Sequence, residues 1–420
     1  NMNKIYLFFF LISLNFSVAQ DGTIDASFNT NVNAVIDSGT ASVIVQQPDG
    51  KILVGGGFSI SGSIRSIIRL NIDGTIDNSF GIVRLEAWVS SNTFHFGRSL
   101  VRSIALQPDG KIIIGGTFSS YNDTITSPCL IRLNSDGSYD NTFNNLGFQF
   151  PYTGGVNKVL LQNDKIIIGG RFSKYGDTWC RHIIRLNLDG SLDNTFFSGY
   201  LLNYEDSVDT IIQKSDNSLL LSFDAEGSYP NNIYHLDSEG YFQNSFWGFN
   251  YGSIRSIIEQ FDGKVICGGF FKFQEVFDGA FFDIKGIVRL RNDYNPDLSY
   301  STNIGIDNSG TVVSIMQQPD GKIVLFGNFT QYNGVIVNRI VRLNIDGSID
   351  NSFNSAGVGF GSLMGYYIDG CILKQSDGKI LVGGDFTTYN NTPVKGIVRL
   401  NNSSVLSNSD FSKSKISLYP

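Results

Sequence analysis

The side chains in this sequence with the means to do chemistry are, first, carboxylates. Glu205, Asp206, Asp224, Glu226, Glu275, Asp278 and Asp283 fall close together in the chain. Two such acids held roughly 5–10 Å apart are the machinery of glycoside hydrolysis. Solvated acids in polar loops read the same way, and spacing alone does not choose between the two. A second acidic pattern alternates oxygen-bearing residues: Asn71, Asp73, Thr75 and Asp77, repeated as Asn187, Asp189, Ser191, Asp193 and as Asn344, Asp346, Ser348, Asp350. A calcium loop opens in this way, but Ile82 stands at the twelfth position, where the bidentate acid belongs. Asp-Gly turns, with Asp and Ser capping local backbone groups, account for the pattern without metal, so no cofactor is expected. His95, His182 and His235 are the only histidines, and none is joined by a Ser or Cys at a recognisable nucleophile elbow or by an HExxH motif.

The remaining candidates are flat aromatics. Trp88, Trp179 and Trp247, with Tyr200, Tyr204 and Tyr251, lie between regular stretches of the sequence. Such rings stack on sugars or anchor a protein partner. They also serve as plugs that close loops over a sheet end, and both uses stay open.

The elements that must position these side chains come from a repeat. Gln107-Pro108-Asp109-Gly110-Lys111-Ile112 leads into Gly115-Gly116-Thr117-Phe118, then Arg132-Leu133-Asn134-Ser135-Asp136-Gly137-Ser138 and Asn141-Thr142-Phe143. Apolar runs on either side of Asp-Gly turns read as two hairpins. The first turn recurs at Asp49, Asp109, Asp164, Asp216, Asp262, Asp320 and Asp377, giving seven units. Units four and five are the most degenerate, with His235 in the Arg slot and Asn217 in place of the turn glycine. Each unit reads as strands A to D; in unit two these are residues 101–107, 111–118, 129–134 and 138–143. A repeated four-stranded meander of this length fits a β-propeller blade. Residues 21–28 read as a strand D without its A, B and C, and unit seven lacks its own D after Asn401. The expected fold is therefore all-β: a seven-bladed propeller over 20–402, closed when the N-terminal strand completes the last blade. Closure also removes exposed sheet edges.

The set Gln-Pro-Asp-Gly-Lys-Ile, Gly-Gly-x-Phe, Arg-Leu-Asn-x-Asp-Gly-Ser and Asp-x-Ser-Phe resembles the delta-60 repeat family of bacterial exported proteins, over about residues 21–402. The resemblance implies a propeller-like fold and a secreted or surface location, and it implies little chemistry. At the N-terminus, Met2-Asn3-Lys4 followed by the apolar run 5–14 and by Ser17-Val18-Ala19 reads as a signal peptide over 1–19, cleaved before Gln20. Residues 403–420 read as a polar linker, and Ile416-Ser417-Leu418-Tyr419-Pro420 resembles the opening of a type IX secretion C-terminal sorting domain. Together these place the protein outside a Gram-negative-type cell.

In such a blade the A–B and C–D turns share one rim and the B–C and D–A loops share the other. All the length variation lies on the second rim, with the longest D–A loop at 81–98 and the longest B–C loop at 271–286. Variable loops on a rigid frame are where function usually sits. The candidate ligand-binding residues are thus Trp88, Trp179, Trp247, Tyr200, Tyr204, Tyr251, Glu205 and Asp206. Tyr121, Tyr175, Tyr332 and Tyr389 recur at a fixed place and are expected to pack, and the recurrent Arg and Asp to pair within each blade. Asp209, at the slot held by Arg102 and Arg255, is a candidate channel residue. Cys129, Cys180, Cys267 and Cys371 show no metal spacing and read as buried thiols, a Cys129–Cys180 bridge being the alternative.

Charged residues are 16% of the chain and the net charge is −7, which disfavours nucleic acid as a partner. The leading reading is an exported, non-catalytic, monomeric propeller that binds a glycan or protein. The alternatives are a carbohydrate-active hydrolase or lyase using acids of blades three to five, and a spacer module of a larger adhesin.

Overall fold

Turn chemistry sets the first level of structure. In unit two the Gln107 N–H donates to the Lys111 carbonyl at 2.8 Å and the Gly110 N–H to the Gln107 carbonyl at 2.9 Å. The Asp109 carboxylate accepts the Lys111 N–H at 3.1 Å. Gly110 has φ 84°, where a Cβ would be strained. The computed structural model describes residues 20–86, 101–123, 125–126, 129–150, 154–180, 182–197, 207–224, 231–277, 280–300, 305–307, 310–355, 357–361 and 370–403. The stretches read as a signal peptide and as a sorting-domain start lie outside these residues.

Five units each form a three-stranded antiparallel sheet. Unit one is Ser38–Gln46, Ile52–Ile60 and Ser63–Leu70; unit two is Val101–Leu106, Ile112–Gly116 and Leu130–Leu133. Unit three is Gly155–Gln162, Lys165–Arg171 and Ile183–Asn187. Unit six is Thr311–Gln317, Ile323–Asn328 and Ile340–Leu343; unit seven is Gly370–Lys374, Ile380–Gly384 and Ile397–Leu400.

Strand D differs from expectation. Where 138–143 read as a strand, the structure has one bridge, Leu133 to Tyr139, and then a turn. The cause is Asp140, whose Oδ1 accepts the Thr142 N–H at 3.0 Å and the Thr142 hydroxyl at 2.6 Å. A side chain that bonds the backbone two residues on pulls it away from a ladder. The same single bridge joins Leu70 to Ile76, Leu186 to Leu192, Leu290 to Pro296 and Leu343 to Ile349.

Unit four shows the converse. It has Gln243-Asn244-Ser245-Phe246 where the others have Asp-x-Ser/Thr-Phe or a close variant, so no carboxylate makes that turn. Its fourth strand continues without a break as the first strand of unit five, Phe242–Glu259. Units four and five thereby share one six-stranded sheet, Ser207–Gln213, Leu219–Asp224, Asn231–Leu236, Phe242–Glu259, Val265–Phe277 and Ala280–Leu290. The stretch 271–286, read from sequence as a long loop, largely extends the last two of these strands.

Neighbouring units pack through the first position of the glycine pair. A Cβ on Gly115 would lie 2.5 Å from Val156 of unit three, and one on Gly383 would lie 2.8 Å from Ala41 of unit one. Unit six carries Phe326 at this position, and there unit seven answers with Gly370, whose own Cβ would meet the Phe326 ring at 2.5 Å. The wide side chain and the missing one are complementary, as close packing requires.

The N-terminal segment lies against the last strand. Ile24 bridges Leu400, the Asp25 N–H donates to the Arg399 carbonyl at 2.8 Å, and the Asn401 N–H to the Thr23 carbonyl at 2.8 Å. Rather than the strand read over 21–28, the chain makes this bridge and then turns into the helix Ala26–Val35. Asp25 caps it, accepting the Phe28 N–H at 3.4 Å. The inner strands Ser38–Gln46 and Gly370–Lys374 also pack together.

The recurrent tyrosines are buried as expected. The Tyr175, Tyr332 and Tyr389 side chains are enclosed, and their hydroxyls donate to the carbonyls of Gly190, Gly347 and Gly22 at 2.8, 2.8 and 2.6 Å. Tyr332→Phe removes the donor and leaves a buried carbonyl unsatisfied. It is expected to cost about 1–3 kcal/mol, measured by urea unfolding against wild type. A change below about 0.3 kcal/mol would show that the bond is replaced.

Candidate functional site

The recurrent charges are structural. Arg69 Nε meets Asp77 Oδ2 at 2.6 Å, and the pairs Arg132–Asp140, Arg185–Asp193, Arg289–Asp297 and Arg342–Asp350 repeat it at 2.7–2.8 Å. Each guanidinium covers an aromatic ring of the D segment: Phe80, Phe143, Phe196, Tyr300 and Phe353. It also donates to the next unit, Arg289 Nη1 to the Ile345 carbonyl at 2.7 Å and Arg185 Nη1 to the Ser238 carbonyl at 2.7 Å. Lys51, Lys264 and Lys322 reach the same carboxylates at 2.8–2.9 Å. Burial opposes the charge on Asp193 and Asp297, but hydroxyl, N–H, Lys and Arg donors outweigh it and hold both carboxyls at about 2. Acid oxygens engaged in this way explain the pattern that resembles a calcium loop. Asp73 Oδ1 likewise accepts the Thr75 N–H and hydroxyl at 3.0 and 2.7 Å.

The D–A connections and B–C hairpins do meet on one rim. Leu85-Glu86 pairs with Ser120-Tyr121, and Phe148-Gln149 with Lys174-Tyr175. Ile306 and Phe360 bridge Tyr332 and Tyr389. The buried tyrosine starts a tight hairpin: Tyr175 pairs with Thr178, Tyr332 with Val335, and Tyr389 with Thr392. The next residue is Trp179, Ile336 or Pro393, and all three are exposed. A rigid frame thus offers a different side chain to solvent at one fixed place in each of these units. Trp179 is 59% exposed, with the Lys174 ammonium 4.5 Å from its ring centre.

Trp247 and Tyr251 lie in the shared strand Phe242–Glu259. Trp88, Tyr200, Tyr204, Glu205 and Asp206 fall outside the described residues. The opposite rim also exposes apolar side chains, Phe261 (74%) and Ile345 (59%) among them.

The inner strands add a feature that sequence reading caught only in part. A bulge interrupts each A–B ladder of units one to six, and the residues it skips are Ser42, Arg102, Asn157, Asp209, Arg255 and Val313. Asp209 therefore does share a slot with Arg102 and Arg255. Bulges re-aim side chains out of the ladder, and here Arg102 Nη1 donates to Asn157 Oδ1, whose amide donates to the Val208 carbonyl at 2.8 Å. One position further on, Ser103, Ser256 and Ser314 accept the N–H of the next inner strand, from Val159, Ile315 and Ile372 at 3.0–3.2 Å. Unit three carries Lys158 there, and burial pushes its ammonium down to about 8. The four cysteines are free thiols; burial pushes Cys129 and Cys180 up to about 12. Cys129 aligns with His182 rather than Cys180, since both residues precede strand C with positive φ (65° and 68°).

Five stretches, residues 47–80, 107–143, 161–196, 318–353 and 375–406, match the family model described as "Domain of unknown function (DUF5122) beta-propeller". Each of the five is similar to a β-propeller repeat. The matched stretches are units one, two, three, six and seven, the five that form separate sheets. No curated protein matches the chain by sequence. Similar solved structures include the extracellular domain of the putative one component system BT4673 from B. thetaiotaomicron, at 13% identity and TM-score 0.47, covering 93% of this chain and 40% of that one. PorZ, a surface component of the type-IX secretion system of Porphyromonas gingivalis, matches at 12% and 0.46, covering 89% and 48%. A streptogramin B lyase matches at 14% and 0.44, covering 91% and 96%. This chain thus spans about two fifths of the BT4673 domain, and likenesses this distant carry no assignment of activity or partner. Among the described residues, no helix is long and apolar enough to cross a membrane.

Proposed function

We propose that this is an exported, non-catalytic propeller of seven blades, closed by its N-terminal segment, which binds a glycan through the rim of B–C hairpins and D–A connections. The observation that carries the reading is Trp179. A tight hairpin, pinned by the buried Tyr175 hydroxyl, holds a tryptophan 59% exposed beside a lysine. Exposed indole presented by rigid backbone suits the apolar face of a pyranose, because little entropy is lost on stacking. A protein partner anchored at the same place is the competing occupant. Closure is supported by the Ile24–Leu400 bridge and by Asp25, which pairs with Arg399 as Asp77 pairs with Arg69.

The test is a glycan array probed with the full chain and with Trp179→Ala. The wild type should select a set of saccharides, and the variant should lose at least about tenfold in affinity, as anchoring aromatics do when truncated. An array with no selective binding, or a variant that binds like wild type, would sink the proposal. Capture of a protein partner lost in the same variant would move the reading to the competitor.

A further inference from the structure

The extended hairpin of unit five sets two lysines against each other. Lys272, in Val265–Phe277, is the register partner of Lys285, in Ala280–Leu290, and on its other side Lys272 is paired with Tyr251. Like charges directly opposite in an antiparallel pair work against the pairing. Little in the chain offsets them. The Lys272 ammonium is 3.9 Å from Asp283, and among the described residues Lys285 forms no ion pair. Both side chains are half-buried, so the repulsion is poorly screened.

The two lysines border a cavity of about 100 Å³. Phe271 and Ile306, each 4% exposed, form apolar wall, and Phe270 stands at 39% exposure. One acid, Asp307, is in the lining. Its two oxygens already accept from Thr330, from the backbone N–H at 3.0 Å and from the hydroxyl at 3.0 Å. The wall therefore carries two cations and a single carboxylate, each oxygen of which already accepts one hydrogen bond, in a protein of net charge −7. A volume near 100 Å³ is several times the roughly 10–15 Å³ that one water needs on the same measure. That holds an oxyanion and its first few attached atoms.

The geometry points to an anion subsite in which Lys272 and Lys285 together hold the carboxylate or sulfate group of an acidic saccharide, with phenylalanine beside the sugar ring. An oxyanion between the ammoniums converts a repulsion into two charge-assisted hydrogen bonds. The choice of a saccharide rests on the glycan-binding reading of this rim; the anion subsite itself does not.

The experiment is a calorimetric titration of the full chain, at about 50 mM salt, with galacturonic acid, galactose 6-sulfate and galactose. Either or both acidic sugars should bind and galactose should not, and affinity should fall as salt is raised. The two acidic arms separate carboxylate from sulfate. Lys272→Gln with Lys285→Gln should weaken acid binding at least tenfold. Its melting temperature should equal or exceed wild type, since the opposed charges are gone. Equal binding of galactose, no binding by either acid, or an unchanged double variant would overturn the subsite. If the glycan array is blank but lysine-dependent acid binding persists, the rim reading fails and the subsite stands. If Trp179→Ala abolishes array binding while the lysine variant changes nothing, the rim stands and the subsite fails.

Discussion

Asp25→Ala is expected to cost about 3–5 kcal/mol of unfolding free energy, the range for removing one partner of a buried ion pair. Arg399 is 5% exposed, and its Nε and Nη2 lie 2.9 and 2.8 Å from Asp25 Oδ2. Lys379 reaches the same oxygen at 2.6 Å. Without the carboxylate a buried guanidinium keeps its charge and loses its counterion. Its remaining contacts are the Phe28 ring at 4.1 Å and the Ile72 carbonyl at 2.5 Å. The helix Ala26–Val35 loses its cap in the same stroke. Asp77→Ala breaks the equivalent pair within one unit and serves as the local comparison. Asp25 differs because it ties the two ends of the described chain, so its loss should also expose the residues before Ser38 to limited proteolysis. Asp177→Ala, exposed at a hairpin tip, is the control and should stay within about 0.5 kcal/mol. A loss in Asp25→Ala no larger than this control would mean that the N-terminal segment does not hold the last unit.

What could be read from the sequence was whatever repeats with a local cause. The Asp-Gly turns, the Arg–Asp spacing and the tyrosine after strand B act through the same physics in each copy that keeps them, so pairing and burial followed from position alone. The readings that missed did so where one residue decides between two uses of the backbone. Asp140 was placed in a strand, yet its carboxylate bonds the Thr142 N–H and makes a turn instead. The absence of that acid at Gln243 lets the chain run straight from unit four into unit five. The Lys272–Lys285 pair was beyond sequence reading because register across that hairpin depends on a shift between Gly268 and Lys272. A slip of one residue would place the two ammoniums on opposite faces. The bulged inner strands hid the slot of Arg102, Asn157, Asp209 and Arg255 in part for the same reason.

Acid should unfold the protein in a window set by its paired carboxylates, between about pH 4 and pH 2. Asp25, Asp77, Asp140, Asp193, Asp297 and Asp350 are all held below the usual aspartate range. Burial opposes this in each case, and Lys, Arg and hydroxyl donors outweigh it. A carboxyl depressed in the folded state stabilises fully above its unfolded value of about 3.9 and loses that contribution as pH falls through the folded value. For Asp193 and Asp297, held at about 2, the contribution is on the order of 2–3 kcal/mol each at neutral pH. Six such groups rival the whole stability of an ordinary domain, roughly 5–15 kcal/mol, so protonating them in turn leaves little margin. Unit four has no such pair. His235 stands in its Arg slot, and burial, with Lys214 nearby, lowers its pKa. The sign is the same but the window is higher: stability from a neutral histidine begins to fade as pH drops through about 6.5. Near-ultraviolet circular dichroism against pH should therefore show a shallow loss of stability below pH 6.5 and a cooperative transition below pH 4. In Asp193→Asn with Asp297→Asn the protein should be less stable at pH 7, and its stability should depend less steeply on pH between 4 and 2. A wild-type transition complete by pH 5, or a double variant with an unchanged pH slope, would show that the paired aspartates do not govern acid stability.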